Sequence, residues 1–445
     1  MGGVSRLLPV TCVMIPASIP KVPLSAERSP WLRGRIQLPG DPALSAAALI
    51  LAAMARGESV LDNIGGAQAE AVAAILRRLG ARIDQRPGGW HVQGIGTAGF
   101  LTPDGPFDLG ATGEAAPLLL GLLGGHDFCS ELTGLAGTPN AGPLLDFIAR
   151  NGGQVEREGD TVRVRAPRFA IPFDLALSQE AQALVAPLLL LALVTAGRST
   201  LHLPEGVRDP IEDLMVLFGA RLGAATEGEF TRMMLDGMLP LRAQALTLPG
   251  DPTLAVYPAV AALIAPDSEV TLSTVALQPR GLALLDALAL LGAEIAIGEV
   301  RRGGADIIVR HSALVGTAIP AGLGIAPEDF PILAVAAASA EGETLLDGLG
   351  EGIRRLALTR SLRANGVECV EQQGGLLVRG KPRVPGGGNV ITRLDPKLAM
   401  AFLVLGMAAE KPVTIDDGAA MQDLFPGFTE AFEHIGASFS VGVPA

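Results

Sequence analysis

Apolar and polar positions repeat one plan six times along the chain. Each repeat opens with an apolar run typical of a buried helix, followed by a short strand such as residues 58–64 or 268–275. A turn and an amphipathic helix come next, and this helix ends at a glycine that recurs every ~70 residues. The six glycines are Gly80, Gly152, Gly219, Gly292, Gly366 and Gly436. We therefore predict six units with the order helix, strand, helix, strand, strand.

The predicted helices begin and end at residue types that commonly occupy helix ends. Glycine adopts the left-handed backbone of a helix C-terminus without a Cβ clash. The apolar helices begin beside residues that can accept hydrogen bonds from unpaired backbone N–H groups. These predicted caps are Asp41, Thr112, Ser178, Asp251, Glu328 or Asp329, and Asp395. If the units are related by rotation, their helix N-termini lie on corresponding sides, where the summed dipoles favour a phosphate or a carboxylate.

The repeat also indicates how many domains the chain forms. One unit leaves an apolar helix face uncovered, so three units packed around shared helices make a domain and six make two. A chain of 445 residues is long enough for two such cores. The pattern predicts an α/β protein of two domains.

Composition excludes several classes of function. The net charge of -12 leaves no broad basic face for nucleic acid, so we expect no nucleic-acid partner. The longest apolar run, residues 183–197, contains Pro187 and is shorter than the ~20 residues that span a bilayer. It predicts a buried helix, and we expect no membrane partner. The first thirty residues combine several prolines with short apolar stretches, which predicts an irregular leader without a targeting signal.

Lysine and cysteine are both scarce. The chain has four lysines, Lys21, Lys381, Lys397 and Lys411, so few mechanisms based on several lysines are possible. Its three cysteines, Cys12, Cys129 and Cys369, lie far apart without metal-binding spacing, so we expect neither disulfides nor a metal site, and a reducing cytoplasm fits best. We interpret Cys129 and Cys369 as small buried hydrophobic residues.

Four stretches carry a resemblance to a known family. They read PGDPALSAAALILAAMARGESVLDNI, LPGDPTLAVYPAVAALIAPDSEVTL, EDFPILAVAAASAEGETLLDGL and LDPKLAMAFLVLGMAAEKPVTIDD. In order and interval they resemble signature stretches of the EPSP synthase family of enolpyruvyl transferases, over residues 33–440. The resemblance implies a two-domain α/β fold of six βαβαββ units, three per domain, around an interdomain cleft. The implied domains are residues 1–40 with 249–445, and residues 41–248.

The family's chemistry is also implied only by this resemblance. Its members transfer the enolpyruvyl group of phosphoenolpyruvate to shikimate 3-phosphate, without a metal or an organic cofactor. Both substrates are small-molecule anions, so the cleft must supply cations. A monomer is compatible with the resemblance.

Several basic positions of the family motifs are substituted in this chain. The motif PGDKSxSxR reads PGDPALSAA, with Pro42 for the lysine, Ala43 for the serine and Ala47 for the arginine. The second-unit segment reads LGATGEAAPL, which puts Pro117 or Ala116 in the place of an arginine. A later basic stretch ending RPM reads TPNAG, and the LRVKESDRL loop is shortened to GEGIRRLAL.

Other positions of the motifs are retained or conservatively changed. By the resemblance, Glu328 stands at the catalytic aspartate position and Lys397 replaces an arginine of the DHRIAM motif. Candidate substrate-binding residues are Asp41, Ser45, Gln182, Arg208, Asp329 and Arg354, the last with Arg355 as an alternative. Each also has a structural interpretation: the acidic residues as helix caps, and Gln182, Arg208 and Lys397 as surface residues.

These substitutions lead to one main hypothesis and two alternatives. The main hypothesis is a divergent EPSP synthase homologue whose transferase activity is lost or much reduced, because several charge clamps are missing together. The alternatives are an active 3-phosphoshikimate 1-carboxyvinyltransferase whose arginines come from elsewhere, and a non-catalytic protein that binds a ligand or a partner. UDP-N-acetylglucosamine enolpyruvyl transferases use a loop cysteine that the stretch LAGTPNAGPL lacks.

Overall fold

A computed structural model describes residues 23–168, 170–204, 206–207, 209–301 and 303–441, except for the side chain of Glu227. The first 22 residues of the predicted leader, with Cys12, lie outside this part of the chain. So does Arg208. No helix in the described part combines the length and apolar character needed to cross a membrane.

The α-helices of the described residues alternate between two kinds. Odd-numbered helices are apolar on all sides, whereas most even-numbered helices pack one apolar side against them. In chain order they are α1 (Pro42–Met54), α2 (Ala69–Arg78), α3 (Ala116–Leu123), α4 (Ala141–Arg150), α5 (Val185–Leu193), α6 (Ile211–Leu217), α7 (Pro252–Ile264), α8 (Pro279–Leu290), α9 (Phe330–Ser339), α10 (Ile353–Ala364), α11 (Pro396–Gly406) and α12 (Phe428–His434). Short 3-10 turns, Gly110–Ala115, Gln179–Leu184 and Pro327–Asp329, precede α3, α5 and α9.

The strands form six mixed sheets, one for each predicted unit. In chain order they are β1 (Leu24–Glu27), β2 (Arg33–Gln37), β3 (Ala55–Asp62), β4 (Arg82–Arg86), β5 (Gly89–Ile95), β6 (Phe107–Asp108), β7 (Ser130–Thr133), β8 (Gln154–Glu158), β9 (Thr161–Arg165), β10 (Asp174–Ala176), β11 (Gly197–Pro204), β12 (Arg221–Glu227), β13 (Phe230–Gly237), β14 (Leu241–Arg242), β15 (Ala245–Thr247), β16 (Glu269–Ala276), β17 (Glu294–Ile297), β18 (Gly304–Arg310), β19 (Ala318–Ile319), β20 (Gly342–Asp347), β21 (Glu368–Gln372), β22 (Gly375–Gly380), β23 (Asn389–Val390), β24 (Val413–Ile415) and β25 (Ser438–Val441).

Three sheets share one order within a single unit: β6-β7-β9-β8, β10-β11-β13-β12 and β19-β20-β22-β21. Each of the other three sheets includes at least one strand from a distant part of the chain. Strands β14 and β15 run parallel to β3, and β2 runs parallel to β16. The sixth sheet contradicts the predicted order, because β1 lies antiparallel between β24 and β25 and replaces a final strand of that unit.

The fold confirms the glycine pattern and half of the predicted caps. All six helix-ending glycines have positive φ angles, from 77° at Gly366 to 111° at Gly436. The carboxylates of Asp41, Asp251 and Asp395 accept backbone N–H bonds at the starts of α1, α7 and α11. The other predicted caps are wrong, because 3-10 turns precede α3, α5 and α9. There Thr112 donates its hydroxyl to Leu109 O instead, and Ser178 and Asp329 make no capping bond. Glu328 bonds its own backbone amide instead of capping α9.

Buried apolar side chains form two clusters that meet at the chain crossovers. One contains residues 26–38 together with residues 254–437, and the other contains residues 44–248 with Ala276. We propose that these are the cores of two domains, residues 1–40 with 249–445 and residues 41–248. The apolar run at 183–197 contributes α5 to the second core, as predicted.

The two cysteines of the described part differ from each other. Cys369 is buried, as predicted, whereas Cys129 is exposed and that prediction is wrong. Phe128 and Ser130 on either side of Cys129 are buried. Alternation of side chains along an extended segment therefore turns Cys129 toward solvent.

The two crossovers pair with each other. Asp41 N donates to Pro249 O at 3.0 Å, and Asp251 N donates to Pro39 O at 2.8 Å. Asn63 Nδ2 also donates to the carbonyl oxygens of both crossovers, at Leu38 and Leu248. This pairing brings the N-termini of α1 and α7 side by side at the base of the cleft.

Candidate functional site

Helix N-termini from both cores line a cavity of about 450 Å³ beside the crossovers. The starts of α1, α7 and α11 and the turn before α9 contribute most of its wall, as predicted. Its carboxylates are Asp41, Glu114, Asp251, Glu328 and Asp395, and its cations are Arg280, Arg354 and Lys397. Carboxylates therefore outnumber cations where the helix dipoles alone would favour an anion.

Two further cavities continue this cleft. One of about 360 Å³ lies at the starts of α3 and α5, and its charged lining residues are Glu114 and Asp209. The other, of about 880 Å³, has four acidic lining residues, Asp251, Asp416, Asp417 and Asp423, and one basic residue, Arg393. The first lacks any basic residue among the described side chains that line it, and the second has an acidic excess.

Arg280 is the centre of an ion-pair network in the 450 Å³ cavity. Its Nη2 lies 2.5 Å from Glu328 Oε1 and 2.9 Å from Asp329 Oδ2, and its Nε donates to the same Asp329 oxygen at 3.0 Å. Its Nη1 lies 4.0 Å from Glu114 Oε1 on the opposite wall. Arg280 is thereby held by three carboxylates, one of which belongs to the other core.

Lys397 also forms a close ion pair, with the carboxylate of Asp329. Its Nζ lies 2.5 Å from Asp329 Oδ1, and the two side chains are 13% and 2% exposed. Arg280 and Lys397 thus share the Asp329 carboxylate from its two sides. Because both cations neutralise a buried anion, each offers less positive charge to an external anion than an unpaired cation would.

The third cation, Arg354, is paired as well. Its Nε donates to Asp395 Oδ2 at 3.1 Å, and its Nη1 lies 3.8 Å from Glu328 Oε2. Burial acts to raise the pKa of Glu328, but a hydrogen bond from its own backbone amide and the charges of Arg280 and Lys397 outweigh it. The pKa of Glu328 consequently lies below its usual value, which keeps this carboxylate ionised at neutral pH and unsuited to act as a general acid.

Asp41 and Asp251 form a second, quite different pair of carboxylates. Both are about nineteen-twentieths buried. Burial, followed by the negative charge of Asp251, raises the pKa of Asp41 from 3.8 to about 7, and burial likewise raises the pKa of Asp251. Asp41 therefore titrates near neutral pH at the base of the cleft.

We expect the titration of Asp41 to make the free energy of unfolding depend on pH. Because folding raises the pKa of Asp41, its contribution to stability is present below pH 3.8 and is lost as the pH rises toward about 7. An Asp41→Asn variant keeps the cap but carries no charge. Between pH 4 and 7 its free energy of unfolding should rise relative to that of the wild type by about 3 kcal/mol.

Urea unfolding at several pH values measures this difference. Asp286→Asn, at an exposed position of α8, serves as the matched control and should follow the wild-type pH profile. Parallel profiles for Asp41→Asn and the wild type would show that Asp41 does not titrate in this range.

The structure brings some of the predicted site residues together. Asp41, Glu328, Arg354 and Lys397 line the 450 Å³ cavity. Asp329 lies beneath its wall, 1% exposed, where it binds Arg280 and Lys397.

Two predicted site residues lie apart from this group. Ser45 is fully buried, and its Oγ accepts a hydrogen bond from Gly65 N at 2.9 Å. Gln182 lies in the turn before α5, half-buried. Neither lines any of the three cavities. Their roles as substrate contacts remain predictions.

Arg280, which contacts more carboxylates than either of the other two cations of this cavity, was not among the predicted site residues. No motif covers it, but a weaker signal was available. Arg280 stands in the first turn of α8, where a positive charge is unfavourable beside the helix dipole. A basic residue there indicates a nearby carboxylate, although which carboxylate depends on the tertiary structure.

Comparison with known proteins places the chain in a family. The family model described as EPSP synthase (3-phosphoshikimate 1-carboxyvinyltransferase) matches residues 27–432. A 3-phosphoshikimate 1-carboxyvinyltransferase of Rhodospirillum rubrum is 38% identical, over 96% of this chain and 100% of the relative. One of Chelativorans sp. is 35% identical, over 94% of this chain and 98% of the relative.

Solved structures agree with this match. EPSP synthase from Acinetobacter baumannii superposes with a TM-score of 0.80 at 26% identity, over 95% of this chain and 100% of the other. The enolpyruvyl transferase NikO from Streptomyces tendae, at a TM-score of 0.71 and 19% identity, covers 95% of this chain and 99% of its own and shares the fold. With its two-core α/β fold of six units and a match over nearly its whole length, the chain belongs to the EPSP synthase family.

Proposed function

We propose that this chain is a divergent EPSP synthase homologue in which enolpyruvyl transfer from phosphoenolpyruvate to shikimate 3-phosphate is lost or much reduced. One observation carries the proposal: the three cations that line the 450 Å³ cavity are already bound to the protein's own carboxylates. In this proposal Glu328 and Lys397 serve the internal ion-pair network instead of catalysis.

The electrostatics of the cleft support the proposal. Both substrates carry a phosphate and a carboxylate, and each must lose water to enter the cleft. The 360 Å³ cavity has Ala43, Ala47 and Pro117 in its wall, where the family motifs place a serine and two basic residues. Neutral side chains cannot replace the charge-assisted hydrogen bonds that a desolvated phosphate requires.

The expected loss of activity is large. Removing a single preorganised donor from a transition-state site costs ~10²–10³-fold in rate. Because several are absent together, we expect kcat/KM for this chain to lie at least about 10⁴-fold below that of an intact relative.

A steady-state assay with shikimate 3-phosphate and phosphoenolpyruvate tests this expectation. The purified chain and the Rhodospirillum rubrum relative, which is 38% identical, are assayed side by side for phosphate release and for the enolpyruvyl product. Turnover within about 100-fold of the relative would refute the proposal and support an active enzyme.

Calorimetric titration with each substrate locates the defect. If the cations are fully occupied, neither substrate should bind the chain at millimolar concentration, whereas the relative should bind shikimate 3-phosphate. Tight binding of both substrates without turnover would place the defect in the chemical step and contradict the electrostatic explanation.

A further inference from the structure

A groove lies on the surface between α10 and the segment that joins β23 to α11. It consists of two adjoining depressions of about 170 and 400 Å³ that share Ile353, Ala357 and Arg393. Four large aliphatic side chains line it and are unusually exposed: Ile353 at 70%, Leu356 at 42%, Ile391 at 65% and Leu394 at 67%. Single exposed aliphatic residues are ordinary, but several together along one groove indicate a contact surface.

The backbone holds part of this surface in an unfavourable conformation. Arg393 and Leu394 have consecutive positive φ angles of 53° and 64°. Residues with side chains avoid this region, and strain of this kind persists where the surrounding structure enforces it. The two residues with this strained backbone, Arg393 and Leu394, both line the groove.

The charge of the groove is opposite to that of the protein. Three arginines and one carboxylate line it: Arg354 is paired with Asp395, whereas Arg360 and Arg393 form no ion pair with another described residue. The chain as a whole carries a net charge of -12, and the cleft cations Arg280, Arg354 and Lys397 are all paired with carboxylates. Two free guanidinium groups beside four aliphatic side chains are complementary to an acidic, amphipathic segment.

We propose that this groove is a docking site for an acidic peptide segment of a partner protein. Two or three aliphatic side chains of that segment enter the depressions, and its carboxylates bind Arg360 and Arg393. Aliphatic contacts supply the affinity, whereas the two arginines select an acidic segment over a basic one. The groove adjoins the cleft at Arg354 and Asp395. The proposed docking depends on Arg360, Arg393 and the exposed aliphatic side chains, and it does not require an active cleft.

Synthetic peptides test the proposal directly. Fluorescein-labelled peptides of about twelve residues, with leucines spaced by one, two or three positions between glutamates, are titrated with the purified full chain. Fluorescence anisotropy should give a Kd of ~10–100 μM for at least one spacing, with several-fold weaker binding at high salt. Matched peptides with lysine in place of glutamate should bind at least about 10-fold more weakly.

Variants locate the binding site. Ile391→Asp and Arg360→Glu should each weaken binding of the best peptide by about 10-fold or more. Val216→Asp and Arg82→Glu make the same changes at exposed positions on the other core and should leave the affinity unchanged. Circular dichroism and the melting temperature establish that all four variants are folded.

Three results would overturn the proposal. One is the absence of any acidic peptide that binds below ~1 mM. Another is equal binding by the wild type, Ile391→Asp and Arg360→Glu. The third is a concentration-dependent dimer, seen by light scattering and broken by Ile391→Asp, since a second copy of the chain would then cover the groove.

Discussion

Replacement of Gly65 by alanine is expected to destabilise the protein by at least about 4 kcal/mol, or to prevent it from folding. A Cβ atom at this position would lie 1.7 Å from Gly40 O, far inside van der Waals contact. Both groups are backbone, so neither can rotate aside. Relief would require the loop that follows β3 to separate from the crossover, which would also break the hydrogen bond from Gly65 N to Ser45 Oγ.

Urea unfolding followed by far-ultraviolet circular dichroism measures this effect through the transition midpoint. Gly142→Ala is the matched control, because a Cβ at that position in α4 meets no heavy atom within 4 Å. It should leave the free energy of unfolding unchanged or raise it by up to ~1 kcal/mol, since alanine favours helix more than glycine does. Equal destabilisation by both substitutions would contradict the proposed close contact at the crossover.

Replacement of Lys397 by methionine is expected to lower the free energy of unfolding by about 3 kcal/mol. Methionine retains most of the side-chain volume but removes the ammonium group from Asp329, whose side chain is 2% exposed. Arg280 then remains as the single counter-charge of the buried carboxylate in this network, and it also binds Glu328. The cost comes mainly from the incompletely compensated charge and not from lost packing.

A double-mutant cycle isolates this ion pair. Lys397→Met combined with Asp329→Asn removes both charges, so the double variant should be more stable than the sum of the single effects predicts, by about 2 kcal/mol. Lys381→Met serves as the control, because Lys381 is 66% exposed and lies 4.0 Å from Glu368. It should change the stability by less than ~0.5 kcal/mol. Additive effects of the two single substitutions would show that Lys397 and Asp329 are not energetically coupled.

Local signals predicted the repeat because it rests on short-range rules. A helix that ends in a left-handed turn selects glycine whatever its surroundings, and all six of the predicted glycines adopt positive φ. The caps show the limit of this argument. Asp41, Asp251 and Asp395 precede a proline at the first helical position and do cap their helices, whereas 3-10 turns take the place of a regular start before α3, α5 and α9.

The pairing of strands from distant parts of the chain could not be predicted in the same way. The pairing of β1 with β24 joins residues 24–26 to residues 413–415. The alternation of apolar and polar residues along a strand specifies which of its faces is buried, but not which strand lies beside it. The residues of β1 therefore do not identify β24 as its neighbour.

The sequence by itself determined the six-unit plan, the resemblance to the family and the loss of basic residues at Pro42, Ala47 and Pro117, because these are properties of residue type and spacing. Only the tertiary structure decided what the remaining cations do. Arg280, unmarked by any motif, and Lys397 meet at Asp329 because α8, α9 and α11 begin side by side around one cavity. Electrostatic interaction depends on distance and burial, and neither can be read from the order of residues along the chain.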